Sequence, residues 1–151
     1  MSLTCTEYLD AAFLLLLKPN LNNTRQELEE RTRKFYINVI RLCKELPKNA
    51  AGFETGRQVI RSAGSVGANY RATKRAKSSA DFIHKVEVVL EEADESLYWL
   101  TVIRDAELIS GDLLNDLIIE ANELTAVFTA TDKTNKLKRA AQLNLNNKAA
   151  S

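Results

Sequence analysis

The chain has 151 residues, of which 45% are apolar and 27% charged, and its formal net charge is +1. This length fits one domain with a sizeable core, and two prolines and five glycines argue against a disordered or collagen-like chain. Cys5 and Cys43 lie far apart with no Cys/His cluster, which indicates reduced thiols in a cytoplasmic protein rather than a disulfide or zinc site. The near-neutral total argues at first against a general polyanion binder.

Residues 1–23 form a leader with an apolar run between residues 11 and 17, closed by Pro19. The run is too short for a membrane span, which needs about 20 such residues. Glu7 and Asp10 precede it, where a secretory signal carries basic residues. Three interpretations stay open: a short helix docked on the domain or a neighbour, a disordered or misassigned leader, or a membrane-active anchor.

The next two segments have the apolar spacing of helices. A capping box formed by Thr24 and Glu27 predicts the start of the first helix, which Pro47 ends. The second helix is expected from about Phe53 to about Ala76, with Gly64 and Gly67 in its interior suggesting close backbone approach or a bend. The predicted inward residues are Leu28, Thr32, Phe35, Val39, Leu42 and Leu46, then Val59, Ala63, Val66 and Tyr70.

Two further helices follow. Ser78 is the expected cap of the third helix, and Gly111 breaks the chain before the fourth. Their predicted inward residues are Phe82, Val86, Val89, Ala93, Leu97, Leu100 and Ile103, then Leu114, Leu117, Ala121, Leu124 and Phe128. No apolar alternation of period two predicts a strand. The sequence therefore predicts an all-α, left-handed antiparallel, up-down-up-down four-helix bundle over 24–131, followed by a basic polar tail at 132–151.

Charge is segregated along the chain. Residues 24–48 carry seven basic and four acidic groups, and residues 49–80 carry six and one. Residues 81–107 carry two basic and eight acidic groups, 108–131 carry four acids and no base, and the tail carries five basic and one acidic group. The neutral total thus hides a basic half, an acidic half and a basic tail.

On the second helix, four arginines fall within an arc of roughly 80°, opposite its apolar stripe. We define the arginine ridge as Arg57, Arg61, Arg71 and Arg75. Such a ridge can track phosphates, helped by Lys74, Lys77 and the basic tail. Alternatively, the arginines pair with the acids of the third and fourth helices, within the bundle or across a subunit contact.

The third helix carries a row of carboxylates, at Glu87, Glu91, Asp94 and Glu95, with His84 on the same side. A di-iron bundle needs two Glu-x-x-His motifs, so the single histidine excludes one. A helical wheel places Phe82 rather than His84 toward the core. No phosphate loop, nucleophile elbow or Cys–His pair is present, so we expect no catalytic residue, metal or cofactor.

A second apolar stripe lies off the inward face of the third helix. It consists of Val88, Trp99 and Val102, with Tyr98 nearby. A tryptophan and two valines outside the core suggest burial against another surface. Together with the oppositely charged halves, the stripe predicts a heterologous self-association that can close into a ring. The alternative is that the leader or the tail covers it.

From Leu28 to Phe128 the chain resembles the bacterial four-helix-bundle family of the 23S ribosomal RNA intervening-sequence protein. The motifs that carry the resemblance are IRL at 40–42, LPKN at 46–49, GRQVIRS at 56–62, SVGANYRA at 65–72, DFIHK at 81–85 and EEADESLYWL at 91–100. The resemblance implies a ring-like homopentamer without known enzymatic activity.

A related branch, the accessory proteins of diversity-generating retroelements, implies binding of RNA or DNA and of a reverse transcriptase. Those proteins are strongly basic overall, whereas this chain is balanced. The family motif also includes Ser65, Ala68 and Asn69, which we interpret as a packing motif or, alternatively, as ligand contacts. The rival to nucleic-acid binding is a protein-interaction adaptor whose charges serve subunit and partner recognition.

Overall fold

The computed structural model describes residues 21–149, and within them every regular element is a helix. The helices are α1 (Leu21–Cys43), α2 (Ala50–Thr73), α3 (Ser79–Asp105) and α4 (Asp112–Ala149). The leader's apolar run lies outside the described residues. None of the helices within 21–149 is long and apolar enough to cross a membrane.

Two predicted helix starts are wrong and one is confirmed. α1 already includes Leu21, so Thr24 lies inside the helix rather than at its start. α2 begins three residues before Phe53, because the Asn49 side chain accepts a 2.9 Å hydrogen bond from the Gly52 backbone and so caps the helix earlier. α3 starts as predicted, with the Ser78 hydroxyl accepting from the Asp81 backbone N–H at 3.1 Å.

Consecutive helices are antiparallel. Contacts that join distant parts of the sequence set their register: Glu29 to Arg71 between α1 and α2, Ser62 to Ser96 between α2 and α3, Glu87 to Lys136 between α3 and α4, and Arg31 to Glu120 between α1 and α4. Each helix packs along its two neighbours, and the diagonally opposite helices α2 and α4 meet through the side chains of Tyr70 and Phe128. The predicted up-down-up-down four-helix bundle is therefore confirmed.

The predicted inward stripes form the core with few exceptions. The fourth stripe is buried at every predicted position, and Tyr70 of the second is half-buried, with its ring centroid 5.5 Å from that of Phe128. On α3 the prediction is wrong at two places. Ile83 is buried in place of Phe82, and Ser96 is buried in place of Leu97. Ser96 is accommodated because its hydroxyl lies 2.8 Å from the Glu92 carbonyl oxygen and 3.0 Å from the Ser62 hydroxyl.

The predicted tail continues the fourth helix. α4 has 38 residues against 23 in α1, so it extends beyond the bundle at the end where α1 begins, α2 ends and α3 begins. We call this the basic end. Most side chains of the extension are exposed from Lys136 to Lys148.

Glycines bring α1 and the α1–α2 connection close to α2. A Cβ on Gly64 would lie 3.1 Å from the Tyr36 ring, and one on Gly67 would lie 3.7 Å from the Thr32 hydroxyl, in ordinary contact. The tightest place is Gly52, where a Cβ would lie 2.0 Å from the Pro47 carbonyl oxygen. The sequence predicted close approach at Gly64 and Gly67 but not at Gly52.

These contacts predict opposite outcomes for two glycine-to-alanine changes. Gly52→Ala should destabilise the protein by about 3 kcal/mol, because the Pro47 backbone has to move. Gly67→Ala should stabilise it by up to about 1 kcal/mol, since alanine is the better helix former and the site has room. Chemical denaturation of both variants measures this, and equal effects would contradict the packing described.

Candidate functional site

The arginine ridge lies on the outward face of α2, but its members have different surroundings. Arg57 donates to Glu54 of its own helix at 2.7 Å. Arg61 reaches across to α3, where it pairs with Glu92 at 3.4 Å and with Glu95. The alternative of pairing with the acids of α3 therefore holds for Arg61 and for no other ridge residue within the described chain.

Arg71 of the ridge contacts α1 instead. Arg71 lies 3.4 Å from Glu29, and Lys74 pairs with the same carboxylate. Hydrogen bonding to Lys74 and the positive charges beside it lower the pKa of Glu29. One carboxylate thus holds two cations, so this position keeps excess positive charge.

The two acids that hold Arg61 differ from each other. The hydrogen bond from Arg61, aided by one from the Trp99 indole N–H at 3.1 Å, lowers the pKa of Glu95. Burial raises the pKa of Glu92, against the attraction of Arg61. Glu95 is therefore the acid that stabilises the contact when ionised, while ionised Glu92 carries a desolvation cost.

The remaining cations collect at the basic end. Several exposed side chains there form no ion pair with any described residue: Arg25, Arg75, Lys77, Lys133, Lys138 and Arg139. A cleft of about 290 Å³ lies among them, between the start of α1, the end of α2 and the start of α3. The described residues that line it include Arg25, Lys74 and Lys77 and no carboxylate.

Aromatic side chains form part of the same cleft. Tyr70 and Phe82 line it beside the cations, and burial raises the pKa of the Tyr70 phenol to about 12. The phenol therefore stays protonated at neutral pH and able to donate a hydrogen bond. Cations with a hydroxyl donor and no acid make this cleft suited to an anion.

The acidic row on α3 is divided among separate contacts. Glu87 accepts from Lys136 at 2.7 Å, and the exposed His84 lies 3.8 Å from Glu87. Glu91 and Asp94 are exposed. Among the described residues no group of three or more His, Cys, Asp or Glu side chains could hold a metal ion.

The second apolar stripe is only partly covered by the chain's own core. Val88, Trp99 and Val102 are half-buried, and Tyr98 is 57% exposed. The Tyr98 ring stands edge-on to Trp99, with centroids 5.0 Å apart. The stripe therefore keeps apolar surface accessible beside exposed Glu91.

The motif on α2 acts locally. Asn69 donates to the Ser65 backbone oxygen at 2.9 Å, within its own helix. Ala68 is exposed and lines a groove of about 510 Å³ between α1 and α2, with Gly64 and Gly67. The hydrogen bond of Asn69 thus stays within α2, and the groove leaves Ala68 accessible.

These observations define an antiparallel four-helix bundle with one cation-rich end. Residues 25–130 match the family described as 23S rRNA-intervening sequence protein, which is well over half of the chain. The chain therefore belongs to the 23S rRNA-intervening sequence protein family. The extension of α4 and the leader lie outside the matched residues.

A solved structure is similar over most of its length. It is the crystal structure of a protein of unknown function from the S23 ribosomal protein family of Bacteroides thetaiotaomicron. The two chains are 28% identical, and the match covers 72% of this chain and 97% of the other with a TM-score of 0.66. No curated protein matches the chain. Neither description names an enzymatic activity.

The two acids around Arg61 predict opposite pH effects. Glu95, with its lowered pKa, contributes stability above the ordinary glutamate value that is lost as pH falls through the lowered pKa. Glu92, with its raised pKa, carries a cost at neutral pH that disappears as pH falls below the ordinary value. When the pH is lowered from 6 to 3.5, the melting temperature of Glu95→Gln should fall less than that of the wild type. The melting temperature of Glu92→Gln should fall more than that of the wild type.

Asp94→Asn, at an exposed position of the same helix, is the control for this comparison. Thermal melts followed by circular dichroism provide the measurement. Identical pH dependence of Glu92→Gln and Glu95→Gln would show that the two carboxylates do not differ as described.

Proposed function

We propose that the chain is a non-enzymatic, cytoplasmic bundle protein that assembles into a homo-oligomer, expected to be a pentamer, and binds RNA or DNA weakly. The observation that carries the nucleic-acid part is the group of unpaired cations at the basic end. Phosphate binding by such cations releases condensed counterions, which supplies affinity without base recognition.

The ion pairs shift the expected contacts along the ridge. A phosphate that contacts Arg61 has to replace two carboxylates, and one that contacts Arg57 has to replace Glu54. Arg75 forms no ion pair with any described residue, and the Lys77 side chain forms none either, although the Lys77 backbone N–H donates to Asp81 at 2.8 Å. Both residues lie beyond the end of α2. We therefore assign the main phosphate contacts to Arg75 and Lys77, with Arg71 and Lys74 in support.

The acidic side of the bundle limits the direction of approach. Glu91 and Asp94 on α3 and Asp116 on α4 are exposed and away from the basic end. Their repulsion of phosphates leaves a one-sided surface and keeps binding weak. The neutral total charge is thus compatible with a nucleic-acid partner.

Self-assembly rests on the second apolar stripe. Tyr98 exposes most of its surface in the single chain, and Trp99 and Val102 are half-buried beside it. Exposed Glu91 and Asp94 next to this stripe complement the exposed arginines of α2 on another copy. Because the two surfaces differ, the contact is head-to-tail and closes into a ring when the rotation permits.

A protein-interaction adaptor is the second candidate function. It is supported by the contact of Arg61 with Glu92 and Glu95, in which a ridge cation pairs with carboxylates of the same chain. By analogy with the related branch, the partner in that case is a protein such as a reverse transcriptase. For an adaptor, the affinity for the partner need not fall with rising salt in proportion to a number of phosphate contacts.

Nucleic-acid binding is tested by removing charge at the basic end. The double variant Arg75→Gln/Lys77→Gln should weaken binding of a short duplex about tenfold at low salt and reduce the slope of log affinity against log salt by about two. Arg57→Gln is the matched control, since Arg57 is already held by Glu54, and should change neither quantity. Fluorescence anisotropy at two salt concentrations measures both.

Absent binding at low salt, or affinity that is unchanged at moderate salt, would overturn the nucleic-acid role. An equal loss in Arg57→Gln would instead restore the whole ridge as the binding surface.

Assembly is tested by removing the exposed aromatic ring of the second apolar stripe. Tyr98→Ser should dissociate the oligomer, because it removes an exposed aromatic ring from the proposed contact. Ile119→Ser on α4 is the control, with the same exposed fraction of 57%. Native mass spectrometry gives the subunit number, and a Tyr98→Ser protein that keeps the wild-type mass would place the contact elsewhere.

A further inference from the structure

The register between α1 and α4 shows where α4 loses its partner. Arg31 contacts Glu120, and Asn38 lines one groove with Leu113. Continued antiparallel, this pairing brings Leu21 level with about residue 130 of α4. Beyond that level, the side of α4 that packs on α1 has no described residue opposite it.

This uncovered side carries an apolar stripe. Leu137, Ala141 and Leu145 recur every four residues, and the two leucines are 63% and 62% exposed. At 100° per residue, Ala141 is in phase with Glu123, which contacts Arg31 of α1. The stripe therefore continues the face that α1 covers further up the helix.

The leader joins α1 at the level where this face of α4 loses its described partner. Residues 1–20 precede α1 directly, and their apolar run at 11–17 lies four to ten residues from Leu21. The stripe lies roughly 10 to 22 Å beyond the level of Leu21 at 1.5 Å per residue. With an extended link before Leu21 and a helical run, residues 17 to 11 would span roughly 13 to 22 Å beyond Leu21, level with the stripe.

The family match bears on both partners. Both the leader and the stripe lie outside the matched residues 25–130. Packing the apolar run of the leader on the stripe would remove apolar surface of both from water.

We propose that the apolar run at residues 11–17 packs within the same chain on the stripe formed by Leu137, Ala141 and Leu145, antiparallel to α4. The leader is a fifth packing segment of the bundle and covers part of its basic end. This proposal does not depend on nucleic-acid binding or on assembly.

The native Cys5 allows a direct test in the full chain. In a Cys43→Ala background, Ala141→Cys is compared with Ala140→Cys. Positions 140 and 141 are both exposed, but Ala140 lines a groove with Ala80 and Ile83 of α3, so it faces away from the uncovered side. Cross-linking with a flexible bismaleimide should join Cys5 to Cys at 141 within one chain at least tenfold faster than to Cys at 140.

Three outcomes would overturn the proposal. Equal rates at the two positions would mean that the leader has no preferred side of α4. No cross-link would place the leader elsewhere, and cross-links found only between chains would assign the stripe to a second copy. A second measurement uses Leu15→Asp, which should speed amide exchange at 137–145 at least threefold without changing exchange in α2; unchanged exchange at 137–145 counts against the docking.

Discussion

The close packing of α1 against α2 determines where the charged groups of the bundle lie. It depends on Gly52, which touches the Pro47 carbonyl oxygen at the turn, and on Gly64, which faces the Tyr36 ring. With the turn held in this way, the antiparallel register leaves one position for Glu29, beside Arg71 and Lys74. Packing of small residues thus fixes an electrostatic contact at the far end of both helices.

The same register divides the cations into two groups with different roles. Those in the middle of α2 lie within reach of carboxylates, as Arg61 is of Glu92 and Glu95. Those beyond the end of α2, such as Arg75 and Lys77, have passed the last acid of α1. Surface ion pairs stabilise a bundle little, so the pairing matters mainly because it decides which positive charge remains for a ligand.

Local spacing made the fold predictable from the sequence, whereas the partners of charged residues were not. The stripe from Leu114 to Phe128 follows from alternating spacings of three and four, which a helix alone imposes. The pairing of Arg71 with Glu29 depends on the register of two helices, which no spacing within either helix shows. Gly52 was missed for the same reason, since its contact with Pro47 exists only after the chain has turned.

The second apolar stripe and the extension of α4 lie on different sides of the boundary of the family match. The second apolar stripe, with Tyr98, lies within residues 25–130, so the proposed assembly contact falls in the region that matches the family. The extension of α4 lies outside that region and adds Lys133, Lys138 and Arg139 to the basic end. Because the leader's acids lie at the same end in the proposed packing, they lower its positive potential. In the proposed function, the residues outside 25–130 therefore adjust the affinity for a polyanion, whereas the proposed oligomer contact lies within the matched region.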